Sequence, residues 1–252
     1  MIPIIERLMN LHQLDYTIAY TERPWHAVEL AQQAAFQGYE YVVAAGGDGT
    51  VNEVLNGLIK ARGNGSGKPA LGVFTVGRGN DFAFSTGISL NLEESVHALA
   101  MGKTQTVDVG YLTGGLYPQG RIFGNGVGIG FDAVVGFESV KLAPLSGFAS
   151  YLVAALKTIM LYYHAPMLRI ELDDETITQP SLMVSIMNGK RMGADFIWRP
   201  TRCQTTVILI YASQEILTGS KYLRSCCASC TVRRKATLRS NFADRNTWRL
   251  QH

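Results

Sequence analysis

Residues 41–56 read Tyr41-Val42-Val43-Ala44-Ala45-Gly46-Gly47-Asp48-Gly49-Thr50-Val51-Asn52-Glu53-Val54-Leu55-Asn56. The first five are apolar without interruption, which is typical of a parallel strand buried on both faces. A glycine-rich turn follows, and the residues from Val51 onward favour a helix over 51–59. We therefore predict a strand, a turn and a helix start, whose exposed amides favour an anion such as phosphate. The alternative is a glycine connection that binds nothing, since short motifs often match by chance.

The surrounding sequence alternates helical and strand patterns up to about residue 105. It predicts the end of a helix over 8–14, a strand over 16–20, a helix over 25–36, a strand over 71–76 and a helix over 92–101 opened by Asn91. Strands that alternate with helices imply a parallel sheet covered by helices on both faces. We predict an α/β nucleotide domain with a doubly wound parallel sheet over residues 1–105.

Beyond residue 105 the pattern changes to strands with few helices between them. Strands are predicted over 106–112, 122–129, 167–172 and 181–187, and one long helix over 148–163. The helix is expected in the core, with a role beside acyl chains as the alternative. A turn is expected at Asp132, between the two regions, with an approach to the ligand cleft as the alternative. We predict a mainly antiparallel β domain over residues 106–194.

Composition excludes several classes of protein. The 252 residues are 47% hydrophobic and 17% charged, with 26 glycines and 4 cysteines, which excludes a disordered chain and a disulfide-stapled miniprotein. The sequence contains no run of about 20 uncharged apolar residues, which is the length needed to cross a bilayer. The N-terminus lacks the basic start and apolar stretch of a secretory signal. We expect a cytoplasmic protein, with attachment to the membrane surface as an open alternative.

The chain also changes character near residue 195. Residues 1–195 hold 13 Lys and Arg against 18 Asp and Glu, whereas residues 196–252 hold 10 against 2. Only Gly219 of the 26 glycines, but all four cysteines, lie after Phe196. The five histidines are not clustered, and the cysteines lack a second spaced ligand pair, so no metal site is predicted.

A second motif, Gly77-Arg78-Gly79-Asn80-Asp81-Phe82-Ala83, follows the strand predicted at 71–76. The first motif is Gly-Gly-Asp-Gly-Thr-Val-Asn-Glu at residues 46–53. Because of these two motifs, residues 1–193 resemble the bacterial diacylglycerol kinase-like lipid kinases. These belong to the superfamily of diacylglycerol, sphingosine and NAD kinases. The resemblance implies transfer of the γ-phosphoryl group of ATP to a lipid hydroxyl such as that of diacylglycerol. NAD kinase is less favoured, because Asn52-Glu53 and the second motif follow the lipid-kinase pattern.

The resemblance also implies cofactors and site residues. ATP and Mg²⁺ are the expected cofactors, with charge neutralisation and a carboxylate base carrying the chemistry. Arg78 replaces the family's usual threonine and is expected to pair with phosphate oxygens, with a solvated surface residue as the alternative. The nucleotide-binding residues are predicted to be Thr21, Gly46, Gly47, Asp48, Gly49, Thr50, Val51, Asn52, Glu53, Gly77, Arg78, Asn80 and Asp81.

The sequence departs from the family pattern at both ends. The resemblance implies a strand and an Asn-Pro-x-Ser-Gly phosphate loop before the first helix, and this chain starts after them, so the fold is expected to be incomplete. Near residue 195 the family continues with Gly-Phe-x-Met-Ala-Pro and then Asp-Asp-Gly. With a suitable choice of codons, Phe196–Pro200 would read Phe-Tyr-Met-Ala-Pro in a shifted frame. In that same frame, Thr205–Ala212 would read Asp-Gly-Tyr-Phe-Asp-Leu-Cys.

We predict from this shared frame that residues 195–252 are an out-of-frame tail. The same region carries the family's base, so no general base is assigned. A non-catalytic remnant that binds nucleotide weakly or not at all is therefore the alternative function.

The expected partner is a lipid substrate at the membrane surface, and a homodimer is left open. Arg233-Arg234-Lys235 could attract nucleic acid or anionic lipid only non-specifically, so no specific nucleic acid partner is expected.

Overall fold

The chain divides into two units, Met1–Val107 and Asp108–His252. A computed structural model describes residues 1–130, 167–172, 176–193, 196–197, 208–213, 229–231, 236–240 and 247–251. The first unit is mixed α/β with a parallel sheet, and the second is built from antiparallel strands. Both were expected from the alternating pattern before residue 105 and the strand-rich pattern after it.

The first unit is built on two parallel strands. β1 (Tyr41–Gly46) pairs with β2 (Ala70–Thr75) in register from Tyr41 opposite Ala70 to Gly46 opposite Thr75. Five helices surround them: α1 (Ile2–Leu11), α2 (His26–Phe36), α3 (Asp48–Gly63), α4 (Asp81–Thr86) and α5 (Leu92–Ala100).

Successive residues of β1 pack into different apolar clusters. Val42 and Ala44 belong to a cluster with residues of α2 and α3, whereas Val43 packs against a cluster formed by α1, α5 and Phe74. Successive strand residues point to opposite faces of a sheet, so an uninterrupted apolar strand can serve two cores. This packing explains why the strand is apolar throughout.

The ends of the helices follow from short-range chemistry. α5 begins after Asn91, whose Oδ1 accepts a hydrogen bond from Glu94 N at 3.2 Å, so the predicted helix and its cap are confirmed. α3 begins at Asp48, inside the glycine turn and three residues earlier than predicted. The turn therefore forms the first turn of the helix itself.

The strand predicted over 16–20 is wrong. These residues alternate between half-buried and exposed, as a strand would, but they form no ladder with β1 or β2. Tyr16 packs against the α1–α5 cluster, and Thr17 Oγ1 accepts a hydrogen bond from the Tyr39 hydroxyl at 2.9 Å. Strand-like composition without a hydrogen-bonded neighbour leaves an extended segment instead of a strand.

The second unit contains an antiparallel sheet. Its described strands run in the order β11-β10-β7-β6-β12-β13-β3-β4, and β5 also pairs with β7. A short hairpin, β8–β9, forms a separate pair. The bounds are β3 (Gly110–Gly114), β4 (Tyr117–Phe123), β5 (Gly126–Gly130), β6 (Met167–Leu172), β7 (Thr176–Met187), β8 (Arg191–Met192), β9 (Phe196–Ile197), β10 (Ile208–Ser213), β11 (Ser229–Thr231), β12 (Ala236–Ser240) and β13 (Thr247–Gln251).

Three strand predictions in this unit need correction. The predicted strand over 106–112 is shifted to β3, and β7 starts five residues before the predicted 181–187. The predicted strand over 122–129 is divided between β4 and β5, because Gly124 and Asn125 form hydrogen bonds with Asn188 instead. Asn188 Nδ2 donates to Gly124 O and Asn188 N donates to Asn125 O, both at 2.8 Å. The predicted helix over 148–163 and Asp132 lie outside the described residues.

Residues after 195 contribute strands to this sheet. β10 pairs with β7, and β12 pairs with β6. Strand pairing does not report the reading frame of the gene, so the out-of-frame origin of 195–252 stays a prediction.

Candidate nucleotide site

Two glycine loops meet at the carboxyl ends of β1 and β2. We call Gly46–Thr50 the first loop and Gly77–Asp81 the second loop. Because Gly46 and Thr75 are register partners, the chain leaves both strands at the same level, and Val76 N donates to Gly46 O at 3.2 Å. Ligands of doubly wound sheets bind at this carboxyl edge. The structure therefore brings together the two motifs that the sequence placed about 30 residues apart.

The two loops contact each other through their backbones. A Cβ on Gly77 would overlap the Cα of Gly47, and a Cβ on Gly47 would come within 3.3 Å of the Cα of Gly77. A backbone neighbour cannot rotate away as a side chain can, so any larger residue at Gly77 forces the loops apart. Neither glycine adopts a positive φ, so close approach of the two backbones is the reason for glycine at these positions.

Gly49 differs from its neighbours in the first loop. It is exposed, and a Cβ placed on it would meet no atom within 4 Å apart from its chain neighbours and the adjoining backbone of α3. A Cβ on Gly46, by contrast, would lie 2.6 Å from Thr50 Oγ1. The protein itself therefore leaves open the space in front of Gly49, next to the first turn of α3.

Asp48 connects the two loops. Its Oδ1 accepts a hydrogen bond from Phe82 N at 2.9 Å, in the first turn of α4. Its Oδ2 lies 2.9 Å from the Cβ position of Gly79, and Asp81 Oδ2 lies 3.5 Å from the same position. Two carboxylates therefore flank Gly79, and Asp81 is only 6% exposed.

Asn80 shapes the second loop. It has a φ of 53°, in the left-handed region that asparagine tolerates better than most residues. Its Nδ2 donates to Gly77 O at 2.9 Å, which closes the loop on itself. Arg78, two residues before it, is exposed.

The remaining predicted residues lie around α3. Val51 is buried in the cluster with α2, so its side chain faces the core. Asn52 O and Oδ1 accept from Asn56 Nδ2 at 2.8 and 3.4 Å. Thr21 is exposed on the irregular segment before α2. Glu53 Oε2 accepts from Ala27 N at 3.3 Å, in the first turn of α2.

The site fits an anion, and its carboxylates fit a divalent cation bound with it. α3 is 16 residues long and begins after Gly47, which has no side chain to cap its amides, so its positive end remains at the open side of the loop. Magnesium in proteins is usually held by one or two carboxylates together with substrate phosphates. Asp48 and Asp81 supply such a pair. No group of three or more metal-binding side chains occurs in the described part of the chain.

Sequence reasoning missed the backbone partners. Neither Phe82 N nor Ala27 N carries any sequence signal, because every non-proline residue has an amide. The spacing of Glu53 and Gly57, four residues apart on α3, was the available indication that both face α2.

Comparison with known proteins identifies the domain that contains both loops. Residues 2–112 match the family model of the diacylglycerol kinase catalytic domain. A probable YegS-like lipid kinase of Enterobacter sp. (strain 638) is 31% identical over 170 residues, covering 66% of this chain and 54% of the relative. A diacylglycerol kinase of Staphylococcus saprophyticus is 30% identical over 169 residues, 66% of this chain and 52% of that protein.

Solved structures show the same fold. A putative diacylglycerol kinase of Bacillus anthracis matches with a TM-score of 0.72 at 19% identity, covering all of this chain and 86% of that one. The chain spans about half the length of these two curated relatives. The matched region contains both glycine loops, and residues 2–112 are therefore identified as a diacylglycerol kinase catalytic domain.

Proposed function

We propose that the two loops bind ATP and that the chain is the nucleotide-binding part of a kinase that phosphorylates a lipid hydroxyl. The observation that carries the proposal is the open space at Gly49, beside the N-terminus of α3. The first loop offers amides to phosphate oxygens, and the second loop contacts the first at Gly47.

Each site residue then has a defined task. Amides of Gly49 and Thr50 at the open end of α3 bind phosphate oxygens. Asp48 and Asp81 would hold Mg²⁺, which neutralises charge on the phosphates during transfer. The exposed guanidinium of Arg78 pairs with a further phosphate oxygen. Thr21 contacts the part of the nucleotide beyond the phosphates.

The acceptor is proposed from the relatives' names. The matched relatives are named as a probable lipid kinase and a diacylglycerol kinase, so the proposed acceptor is the hydroxyl of a diacylglycerol-like lipid. Such a substrate places the protein at the surface of a membrane, on the cytoplasmic side where ATP is present. In the described residues no helix is long and apolar enough to cross a bilayer. A homodimer remains part of the proposal, to be tested by light scattering.

A second candidate uses the same site without turnover. No general base is assigned, and acid–base groups typically contribute about 10²–10⁴-fold to a rate. A chain that lacks the base would bind ATP and transfer phosphate poorly. The two candidates therefore share the nucleotide site and differ in whether the lipid is phosphorylated.

A phosphotransfer assay separates them. Radiolabelled ATP and diacylglycerol in mixed micelles are incubated with this chain, with a version carrying both family ends, and with the Enterobacter relative as positive control. We expect ATP binding by all three and rapid turnover only with the extended version and the relative. Equal rates from this chain would show that its own residues include the base. Absence of ATP binding, measured by calorimetry, would reject the nucleotide site and leave the remnant that binds no nucleotide.

A further inference from the structure

α2 and α3 pack unusually closely at one face of α3. A Cβ on Gly57 would overlap Val28 O and would lie 2.8 Å from the Cβ of Ala31. Glu53 is four residues earlier on α3 and therefore faces the same side. Its carboxylate reaches Ala27 N. Gly57 lets the helices approach, and Glu53 binds the first turn of α2 at the end nearer the glycine loops.

The turn that Glu53 holds is strained. Trp25 precedes α2 with φ 67° and ψ 2°, a left-handed conformation that is costly for a residue with a bulky side chain. Its side chain does not cap the helix. Local hydrogen bonds, such as that from Glu22 N to His26 Nδ1 at 3.1 Å, close the turn. Strained turns persist only where surrounding structure holds them, and they concentrate at functional sites.

The strained turn lies close to the phosphate site. Glu53 follows Asp48 by five residues on the same helix, which corresponds to about 7.5 Å along the axis at 1.5 Å per residue. A nucleotide whose phosphates bind at the first loop extends over this distance. Thr21 is four residues before Trp25, so the conformation of the turn sets the position of Thr21.

We propose that Glu53 is a positioning residue that acts through α2. Its carboxylate fixes Ala27 N and thereby holds the strained turn at Trp25, which orders the segment carrying Thr21 beside the nucleotide. The proposal rests on ATP binding at the first loop and replaces the direct nucleotide contact that the family resemblance implied for Glu53. The bond to Ala27 occupies one of its two carboxylate oxygens.

The first test compares Glu53→Ala, Glu53→Gln and the control Glu29→Ala in the full chain. Glu29 is also acidic and next to the start of α2, but it pairs with Arg23 at 2.6 Å and does not reach α3. We measure ATP affinity by calorimetry and hydrogen exchange of the Ala27 amide. Hydrogen bonds to charged groups are stronger than those between neutral groups, so Glu53→Ala is expected to weaken ATP binding about tenfold and to accelerate exchange at Ala27. Glu53→Gln retains a carbonyl oxygen, so its ATP affinity and its exchange rate at Ala27 should be close to those of the unaltered chain. Glu29→Ala should change neither quantity.

The second test relieves the strain. Glycine takes the left-handed conformation without steric cost, so Trp25→Gly should relieve the strain at this turn. In the Trp25→Gly background, Glu53→Ala should weaken ATP binding less than threefold, since the turn no longer needs to be held.

Two results would overturn the inference while leaving ATP binding intact. One is unchanged exchange at Ala27 in Glu53→Ala. The other is a loss of affinity from Glu53→Ala that is the same with Trp25 and with glycine, as a direct contact would give. If the unaltered chain does not bind ATP, the nucleotide site is rejected instead. Exchange at Ala27 would then still show whether the Ala27 amide is bonded to Glu53.

Discussion

The helices that follow the two glycine loops differ in whether their N-terminal amides are still available to a ligand. α3, after the first loop, starts with no side-chain cap at Gly47 and with open space at Gly49. α4, after the second loop, already has Phe82 N bonded to Asp48 and Gly77 pressed against Gly47. Similar glycine-rich sequences therefore serve different purposes. In the proposed site the first loop binds phosphate through its amides, whereas the second loop supports the first and contributes the side chains of Arg78 and Asp81.

Breaking the support should have the largest effect. Gly77→Ala places a methyl group against the backbone of Gly47, and overpacking of this kind typically costs about 1–3 kcal/mol. We expect the free energy of unfolding to fall by about 2–3 kcal/mol and ATP binding to be lost. Chemical denaturation and calorimetry measure both. A stable variant with normal ATP affinity would show that the loops do not depend on their contact.

Removing the connection between the loops should have the next largest effect. Asp48→Ala leaves Phe82 N without its acceptor, which costs about 1–3 kcal/mol when the group is buried. The same change removes a carboxylate proposed for Mg²⁺, so ATP binding should lose its dependence on Mg²⁺. Titration of ATP with and without Mg²⁺ tests this. Unchanged affinity in both conditions would place the nucleotide elsewhere.

The smallest effect is expected from an ion pair outside both loops. The hydrogen bond from Arg23 lowers the pKa of the exposed Glu29 carboxyl, so Glu29 contributes stability above its unfolded pKa that is lost as the pH falls through its folded value. Because both side chains are well exposed, the contribution should be small and should decrease with salt. Thermal melts of Glu29→Gln from neutral to acid pH should differ from the unaltered chain only above that pKa. A large difference, or ATP binding that follows this titration, would mean that the pair belongs to the site.

The sequence was most informative where structure depends on neighbouring residues. β1, the glycine turn and the cap at Asn91 could each be predicted from a few consecutive residues. The extended segment at 16–20 could not, because strand formation requires a partner strand that the local pattern does not reveal. The division of 122–129 was equally hidden, since it depends on Asn188, more than sixty residues away along the chain.

The site itself was predicted at the level of motifs but not of contacts. Both loops were predicted to follow strands, and the structure brings them together because parallel strands end at one edge of a sheet. The bond from Ala27 to Glu53 depends on the packing of α2 against α3 around Gly57, and the bond from Phe82 to Asp48 depends on the contact between the two loops. No motif encodes either.

The proposed out-of-frame tail has its own test in the coding DNA. If residues after 195 are read in a shifted frame, the other frame should stay open beyond residue 212 and encode a glycine-containing, less basic sequence. An early stop in that frame, together with relatives that share the present tail, would contradict the prediction.

The most direct test of the central claim compares Gly49→Ala with Gly63→Ala. Both glycines belong to α3, neither has a positive φ, and a Cβ on either meets no atom within 4 Å apart from its chain neighbours and the adjoining backbone of α3. The two variants should therefore fold equally well, with melting temperatures close to that of the unaltered chain. Only Gly49 faces the proposed phosphate position, so ATP affinity measured by calorimetry should fall at least about tenfold, or 1.4 kcal/mol, in Gly49→Ala and remain unchanged in Gly63→Ala. Equal ATP affinity in both variants would contradict a nucleotide site at the first loop.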